Sequence, residues 1–318
     1  MPNLHLRAAK KQKNDEFYTL YSTVENELYY YTSCFAGKKV LCNCDGLDSN
    51  FWKYFHSNFS KLGLEKLTAI AYTPYKMDGF FYEYKSKNDD NCLSCIGHRL
   101  DGNGDFRSEA SIEILKDADI IVTNPPFSLM SDYIEQLVHY RKQFLFLCRL
   151  TGTVTNKKIF RWIKDGLLWP GYNFNKTVEF LMPDDYELKG NAYVDENGRK
   201  HGFVPGICWI TNLPTQKENK LELTCTYNKE AYPVFDHLPQ VINVRKTAEI
   251  PNDYEGYMAV PVTFLSKFDP EQFEIIDGVN RYCVLDAFGV NEQVRQQHSH
   301  CCNIGGKATF FRIVIKRK

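Results

Sequence analysis

The stretch that decides the fold is Asp119-Ile-Ile-Val-Thr-Asn-Pro-Pro-Phe-Ser-Leu-Met130. Its apolar first part, which ends at Thr123, predicts a buried β-strand. The two prolines end that strand, because each one fixes φ and lacks a backbone donor. The amphipathic run from Ser131 to His139 predicts a helix. The whole stretch therefore predicts a strand and a helix joined by an Asn-Pro-Pro-Phe loop.

This loop is rich in hydrogen-bond acceptors. Asn124 offers an amide oxygen, and Pro125 and Pro126 add carbonyls but no backbone donor. A primary amine that donates to the Asn124 oxygen and to a proline carbonyl has its lone pair turned away from its aromatic ring. Phe127 adds a flat face on which a base can stack. The loop therefore suits N-methylation of a planar amine, and the alternative is a proline-kinked strand end with a buried phenylalanine.

The first half of the chain alternates strand and helix patterns. This alternation predicts an α/β fold, a parallel sheet with helices on both faces, and a cofactor at the carboxyl ends of its strands. The predicted strands are 39–44, 67–72, 119–123 and 143–148, and the predicted helices are 49–59, 108–117 and 131–139.

Other segments are expected to complete this sheet. Residues 80–84 and 92–96 predict a hairpin or an extra strand before the third core strand. Residues 177–182 and 207–211 predict late antiparallel strands of the same sheet. Asn124 follows Asp45 by about three βα units, which places it at the end of the fourth core strand.

Composition limits the classes of function. The chain has 318 residues, 39 Lys and Arg against 39 Asp and Glu, and a net charge of zero. Nucleic acid would therefore be bound through local basic patches rather than by overall charge. The residues that could contact phosphates or bases are Lys157, Lys158, Arg161, Arg199, Lys200 and Arg245.

Cellular location and metal content can also be predicted. No apolar run reaches the roughly 20 residues of a membrane helix, and the polar start does not resemble a secretory signal. We therefore expect a cytoplasmic protein with no membrane partner and with reduced cysteines. No metal site is predicted: Cys92 and Cys95 lack a second pair, and the cluster from His298 to Cys302 is too compact to wrap one ion.

Several motifs together resemble a known family. The tetrapeptide Asn124–Phe127 resembles the Asn/Asp-Pro-Pro-aromatic signature of amino-group methyltransferases that depend on S-adenosylmethionine. The chain resembles the EcoRI-type adenine-specific DNA methyltransferases over roughly residues 13 to 276. The segments that carry this resemblance include Lys13-Asn-Asp-Glu-Phe-Tyr-Thr19, Cys42-Asn-Cys-Asp45, Ser49-Asn-Phe-Trp-Lys-Tyr-Phe55, Gly104-Asp-Phe-Arg-Ser108 and Cys208-Trp-Ile-Thr-Asn-Leu213. The resemblance implies a Rossmann-like methyltransferase sheet and S-adenosylmethionine as the cofactor.

The same resemblance implies which residues hold the cofactor near its methionine part. Phe17, Tyr18 and Thr19 resemble the family's Phe-Tyr-Thr-Pro segment, with Leu20 in place of the proline. The loop after the first core strand is Asn43-Cys-Asp45, so Asn43, Cys44 and Asp45 stand where many methyltransferases have a glycine-rich turn. Asp45 is expected either to accept a hydrogen bond from the methionine ammonium or to cap the following helix.

The adenosine part of the cofactor is assigned in the same way. Asp105 corresponds to an acidic residue that accepts from the adenine amine, and Phe106 is placed to pack on the adenine ring. Tyr72 stands where an acidic residue for the ribose hydroxyls is usual, so the ribose contact departs from the family's pattern.

The implied activity is methylation of adenine N6 within a specific sequence of double-stranded DNA. The adenine must leave the helix for its amine to be reached. Such enzymes usually protect a site from a partner restriction endonuclease. The implied domains are a catalytic domain at residues 1–214 and a target-recognition region at 215–318. The alternatives are a methyltransferase for RNA adenine or protein glutamine, and a catalytically inactive DNA-binding relative.

Overall fold

The computed structural model describes residues 18–73, 78–86, 93–182, 187–188, 190–215, 220–279 and 303–318. The chain divides into two compact units: Met1–Leu150 with Pro170–Thr215, and Thr151–Trp169 with Gln216–Lys318. In this division residues 151–169 group with residues 216–318, whereas the predicted boundary at residue 214, which stays a prediction, assigns them to the first domain.

The first two thirds of the chain supply strands β1 to β12 and helices α1 to α7. The strands are β1 (Tyr18–Thr19), β2 (Lys39–Cys42), β3 (Lys66–Ile70), β4 (Asp78–Ser86), β5 (Leu93–Asp101), β6 (Ile120–Thr123), β7 (Gln143–Arg149), β8 (Trp169–Pro170), β9 (Glu179–Leu181), β10 (Tyr193–Val194), β11 (Lys200–Phe203) and β12 (Ile207–Thr211). The helices are α1 (Tyr21–Leu28), α2 (Asn50–Ser57), α3 (Phe59–Leu62), α4 (Glu109–Asp117), α5 (Met130–His139), α6 (Leu150–Val154) and α7 (Lys157–Lys164).

The large sheet of the first unit is mixed rather than wholly parallel. Its strand order is β5-β4-β3-β2-β6-β7-β12-β8. The four strands β3, β2, β6 and β7 are parallel, whereas β4, β5 and β12 pair antiparallel with their neighbours. The parallel part of the sheet is confined to these four strands. The hairpin β4–β5 and the antiparallel strand β12 extend it, in agreement with the predicted hairpin and the predicted late antiparallel strand at 207–211.

Individual predictions had different outcomes. The strands predicted at 39–44, 67–72, 119–123 and 143–148 and the antiparallel strand at 207–211 are confirmed. The segment 177–182 was placed in the wrong sheet, since β9 belongs to a separate sheet of order β1-β9-β11-β10. Asn124 follows β6, which is the fifth strand of the large sheet along the chain when the extra strand predicted before the third core strand is counted.

The parallel strands create a switch point in the sheet. The chain leaves β2 for β3 on one side and returns to place β6 on the other side of β2. Crevices that bind ligands in open α/β sheets form at such points, at the carboxyl ends of the strands. Here those ends lead into Asn43–Gly46 after β2 and Asn124–Phe127 after β6. The topology therefore brings the two predicted loops together.

Helices cover both faces of the sheet. Alternate side chains of β2 and β6, such as Val40 and Val122, pack in one core cluster with residues of α1, α2 and α3. On the opposite face Tyr133 of α5 meets Phe146 of β7, with ring centroids 5.6 Å apart. All four residues of β6 are buried, as expected for a strand that is covered on both faces.

Serine side chains cap the N-termini of two of the helices. Ser49 accepts a hydrogen bond from the Trp52 amide at 3.1 Å and starts α2. Ser108 accepts one from the Ser111 amide at 3.2 Å and starts α4. Each bond satisfies one of the amides that a helix N-terminus leaves without an intrahelical partner.

The second unit is built around a smaller sheet of order β13-β14-β15-β19-β16. Its strands, with a separate β17–β18 hairpin, are β13 (Val234–Phe235), β14 (Leu238–Asn243), β15 (Tyr257–Pro261), β16 (Phe273–Val279), β17 (Asn303–Ile304), β18 (Lys307–Ala308) and β19 (Arg312–Arg317). One core cluster contains Phe235, Leu238, Val241, Ala259 and Val314. In the part of the chain that the structure describes, no helix combines the length and apolar character needed to cross a membrane.

Gly104 is a position where the turn after β5 requires glycine. Its φ is +81°, and a Cβ there would overlap the carbonyl oxygen of Ala71. Gly102, two residues earlier, has a φ of +97° but open space around its Cα. The close approach at Gly104 holds the loop of Asp105 and Phe106 against the end of β3.

We expect Gly104→Ala to destabilise the protein more than Gly102→Ala. Each alanine incurs the roughly 1–2 kcal/mol penalty of a positive φ, and Gly104→Ala adds about 1–3 kcal/mol for the forced shift of Ala71. Urea unfolding followed by circular dichroism measures both losses in free energy of unfolding. Equal losses would show that the approach of Gly104 to Ala71 does not constrain the loop.

Candidate active site

The loops after β2 and β6 are joined through the carboxylate of Asp45. Its Oδ2 accepts hydrogen bonds from the Thr123 hydroxyl and from the Asn124 amide, the latter at 2.9 Å. The Thr123 hydroxyl in turn accepts from the Cys44 amide at 3.2 Å. Thr123 has no solvent exposure. One carboxylate and one hydroxyl therefore set the position of Asn124 relative to the loop of residues 43–46.

Burial and hydrogen bonding shift the pKa of the Asp45 carboxyl in opposite directions. Burial raises the pKa of its carboxyl to about 6, although the bonds from Thr123 and Asn124 favour the ionised form. The helix-capping role considered for Asp45 is filled by Ser49 instead. Asp45 thus holds the loop of Asn124, and a cation placed beside it would favour its charged form.

A cavity of about 150 Å³ opens beside this junction. It brings together three of the predicted residues, Thr19, Asp45 and Asn124. The remaining lining residues are Asp48, Ser49, Asn50, Phe51, Lys53 and Leu181. The wall thus combines two carboxylates, one ammonium group and the first turn of α2.

Thr19 reaches the cavity through the short strand β1. That strand pairs with β9, so that Thr19 lies opposite Phe180. The Thr19 carbonyl accepts a hydrogen bond from the side-chain amide of Asn50 at 2.8 Å. Thr19 is only 5% exposed, and its hydroxyl oxygen has no hydrogen-bond partner among the described residues. A buried polar group in a cavity wall costs free energy unless a ligand or water satisfies it.

The Asn-Pro-Pro-Phe loop continues into a short 3₁₀ turn, Phe127–Leu129. The Pro126 carbonyl accepts from the Leu129 amide at 3.0 Å. Because this bond uses one of the two lone pairs of the Pro126 carbonyl, the Pro125 carbonyl is our preferred candidate for accepting from a bound amine. Pro125 is buried, and Phe127 is half-buried and packs against the core.

A second group of predicted residues lies at the ends of β3 and β5. Asp105 forms a bidentate ion pair with Arg107, with N–O distances of 2.9 and 2.7 Å, and the guanidinium lowers the pKa of that carboxyl. Phe106 is buried edge-on against Tyr133, with ring centroids 5.1 Å apart. Tyr72 is 51% exposed. None of these three residues lines the cavity beside Asp45.

The other predicted residues are placed as follows. Phe17 lies outside the described residues, and of Tyr18 only the backbone pairing with Leu181 is described. Asn43 is buried, and its amide oxygen accepts from the Tyr133 hydroxyl at 2.7 Å, which links the loop after β2 to α5. Cys44 acts through its backbone amide, and burial raises the pKa of its thiol well above the usual value.

Sequence reasoning missed Asp48, Lys53 and Thr123. Ser49 is a recognisable N-cap, so the first turn of α2 could have been placed next to the loop after β2. Thr123 directly precedes the Asn-Pro-Pro-Phe tetrapeptide but carries no sequence signal of its bond to Asp45.

No group of three or more His, Cys, Asp and Glu side chains that could hold a metal occurs within the described ranges. Cys95 is exposed, whereas Cys92 and the cluster from His298 to Cys302 lie outside those ranges.

The chain is similar to known methyltransferases over nearly its whole length. The family model described as "Adenine-specific methyltransferase EcoRI" matches residues 5–318. The type II methyltransferase M.EcoRI of Escherichia coli is 43% identical over 99% of this chain and 97% of its own length. M.MpnI of Mycoplasma pneumoniae is 41% identical over 99% and 98%, and M.MgeORF184P of Mycoplasma genitalium is 40% identical over 99% of both chains. No solved structure matches this chain.

These similarities define the class of the protein as a methyltransferase. The chain belongs to the adenine-specific methyltransferase EcoRI family, whose model covers all but its first four residues.

We expect Thr123→Val to loosen the junction between the two loops. The change keeps the shape of the side chain but removes the donor to Asp45 and the acceptor for the Cys44 amide. Loss of a buried pair of this kind costs about 1–3 kcal/mol. Urea unfolding should show that loss, and hydrogen–deuterium exchange should show faster exchange at the amides of Cys44 and Asn124.

Thr211→Val is the matched control. The Thr211 hydroxyl is also fully buried, donates to the Phe144 carbonyl at 2.6 Å and accepts from the Leu213 amide at 2.9 Å. Its loss should destabilise the protein to a similar degree without faster exchange at Cys44 and Asn124. Unchanged exchange at these amides in Thr123→Val would rule out the positioning role of Thr123.

Proposed function

We propose that this protein transfers a methyl group from S-adenosylmethionine to N6 of an adenine within a specific sequence of duplex DNA. The observation that carries the proposal is the junction at Asp45, which holds Asn124 in the wall of a cavity with groups of both charges. Membership of the adenine-specific methyltransferase EcoRI family supports the choice of base.

The residues around the cavity fit the amino-acid part of S-adenosylmethionine. The carboxylates of Asp45 and Asp48 suit its ammonium group. Lys53 and the first amides of α2 suit its carboxylate. The Thr19 hydroxyl, which has no partner among the described residues, supplies a further polar group. When bound, this cofactor provides a methyl group on a positively charged sulfur.

The residues at the ends of β3 and β5 are our candidates for the adenosine part. Asp105 keeps acceptor capacity beyond its pair with Arg107, because a carboxylate offers about four lone-pair sites. Tyr72 is exposed and available to the ribose. Phe106 is turned toward Tyr133, so we assign it the role of shaping this site through α5.

The Asn-Pro-Pro-Phe loop would hold the target amine. Asn124 and the Pro125 carbonyl accept its two N–H groups, which directs the nitrogen lone pair out of the ring plane. Phe127 stacks on the flipped base, which offsets part of the few kcal/mol that extrusion costs. Asp45 and Thr123 hold the backbone of Asn124 and act as positioning residues.

The two units would have separate functions. We assign catalysis to the first unit, a Rossmann-like methyltransferase domain, and target recognition to the second, with duplex DNA as the partner. The type II relatives favour a place in a restriction-modification system, in which a cognate endonuclease cuts the same sequence when it is unmethylated.

We expect Asn124→Ala to abolish methyl transfer to DNA while S-adenosylmethionine binds within about a few-fold of its normal affinity. Transfer of tritiated methyl groups to duplex DNA measures the first effect, and titration calorimetry measures the second. Asn58→Ala, at the end of α2 outside the cavity, is the matched control and should retain normal turnover.

Normal turnover by Asn124→Ala would exclude the proposed mechanism. Methylation of RNA or of a glutamine peptide in preference to duplex DNA would exclude the proposed substrate. Absence of S-adenosylmethionine binding by the unmodified protein would exclude the activity itself. Sequencing of N6-methyladenine in DNA from cells that express this chain reports the base and the recognition sequence together.

We expect Lys53→Met to weaken binding of S-adenosylmethionine about threefold to tenfold, since it removes the cation that faces the cofactor carboxylate. Decarboxylated S-adenosylmethionine lacks that carboxylate, so its affinity should change less than about twofold. Lys61→Met on α3 is an exposed lysine control that should affect neither ligand. Equal losses for both ligands in Lys53→Met would show that Lys53 does not contact the carboxylate.

A further inference from the structure

Helix α7 has a basic face and an apolar face on opposite sides. Lys157, Lys158, Arg161 and Lys164 are exposed, whereas Ile159, Phe160 and Ile163 are buried. At 100° per residue the four basic positions fall within an arc of about 120°, and the apolar positions fill the opposite side. Since α7 contains no acidic residue, this arc carries four basic side chains and no carboxylate of the helix itself.

The apolar side fixes α7 to the second unit. Phe160 meets Phe311, with ring centroids 6.1 Å apart. The Lys164 amine donates to the Ile276 carbonyl of β16 at 2.8 Å. The Asn156 side chain caps the helix by accepting from the amides of Lys158 and Ile159, at 3.0 and 3.2 Å. The basic face is therefore held by a fixed element rather than by a loose loop.

The net positive charge of the second unit comes from residues 151–169, the segment that contains α7. Residues 216–318 contain 13 basic and 13 acidic side chains. Residues 151–169 add four basic side chains against one carboxylate, that of Asp165. The net positive charge of the unit thus comes from α7, although the whole chain is neutral.

We propose that the basic face of α7, formed by Lys157, Lys158 and Arg161, binds the phosphate backbone of duplex DNA. The inference rests on the proposed function for the identity of the polyanion. Arg161 is 82% exposed, and its ion pair with Asp165 is long, at 3.7 Å, so this guanidinium is available to a phosphate at small cost. A row of cations fixed along one helix face is complementary in charge to the phosphates of a nucleic-acid strand.

The test is binding of a fluorescent duplex of random sequence to the full-length protein, followed by anisotropy over a range of salt concentrations. Each lost phosphate contact lowers the slope of log affinity against log salt concentration by about 1. The variant Lys157→Ala/Lys158→Ala/Arg161→Ala should lower that slope by about 2 to 3 and weaken binding by about tenfold or more at low salt. Alanine favours the helical state, so α7 should keep its fold.

The matched control is Lys229→Ala/Lys246→Ala/Lys267→Ala, which removes the same charge from exposed positions elsewhere in the second unit. It should leave the slope nearly unchanged. Asp165→Asn should strengthen binding about twofold, because it removes the carboxylate beside Arg161. Equal slopes for the α7 variant and the unmodified protein would overturn the proposal, and so would equal losses in the control variant.

Two further results separate this proposal from the proposed function. Tighter α7-dependent binding of single-stranded RNA than of duplex DNA would overturn the choice of partner. Retention of S-adenosylmethionine binding by the α7 variant, measured by calorimetry, is expected. If the unmodified protein binds DNA through α7 but transfers no methyl group to it, the proposed function fails and the inference about α7 stands.

Discussion

The carboxylate of Asp45 is the group on which the arrangement of this site depends. It sits where the chain leaves β2 and accepts from the hydroxyl and the amide at the end of β6. These two strands are neighbours in the sheet but far apart in sequence, and β3 to β5 intervene along the chain. Because β2 and β6 are neighbours in the sheet, the buried Asp45 carboxylate can bond from one loop to the other. It therefore fixes the distance between the loops after these two strands.

The hydrogen bonds explain how the Asn-Pro-Pro-Phe segment can be both rigid and poor in donors. Proline removes two amides that would otherwise compete for acceptors. The Asn124 amide donates to the Asp45 carboxylate, and the Leu129 amide donates to the Pro126 carbonyl. The loop is stabilised through its own donors, which leaves an acceptor-rich surface for a ligand that brings N–H groups. This is the property required of a site that binds a primary amine.

The parts of the structure that depend on local pattern could be predicted from the sequence. The strands around Val40 and Val122, and the serine cap at Ser108, were recognisable because each has a signal within a few residues. The hairpin β4–β5 was left open between two possibilities, because short apolar runs do not reveal strand direction. Pairing of β9 with β1 and β11 was not predictable, since it depends on segments distant in sequence.

Only part of the candidate site could be predicted from the sequence. Asn124 could be selected as a candidate from the sequence, because its tetrapeptide suits the binding of a primary amine. The positioning roles of Asp45 and Thr123 could not be predicted, because a carboxylate in a loop gives no indication of the donor it will meet across a sheet.

The environment of Asp45 affects the charge of its carboxyl. Burial raises the pKa of its carboxyl to about 6, whereas hydrogen bonds from donors that include Thr123 and Asn124 favour the ionised form. A cationic ligand group beside Asp45 would stabilise that charge, and the carboxylate would in turn hold Asn124 more firmly. Asp45 would then contact the cofactor and also position the loop of Asn124. Binding of the cofactor would therefore make that loop more ordered.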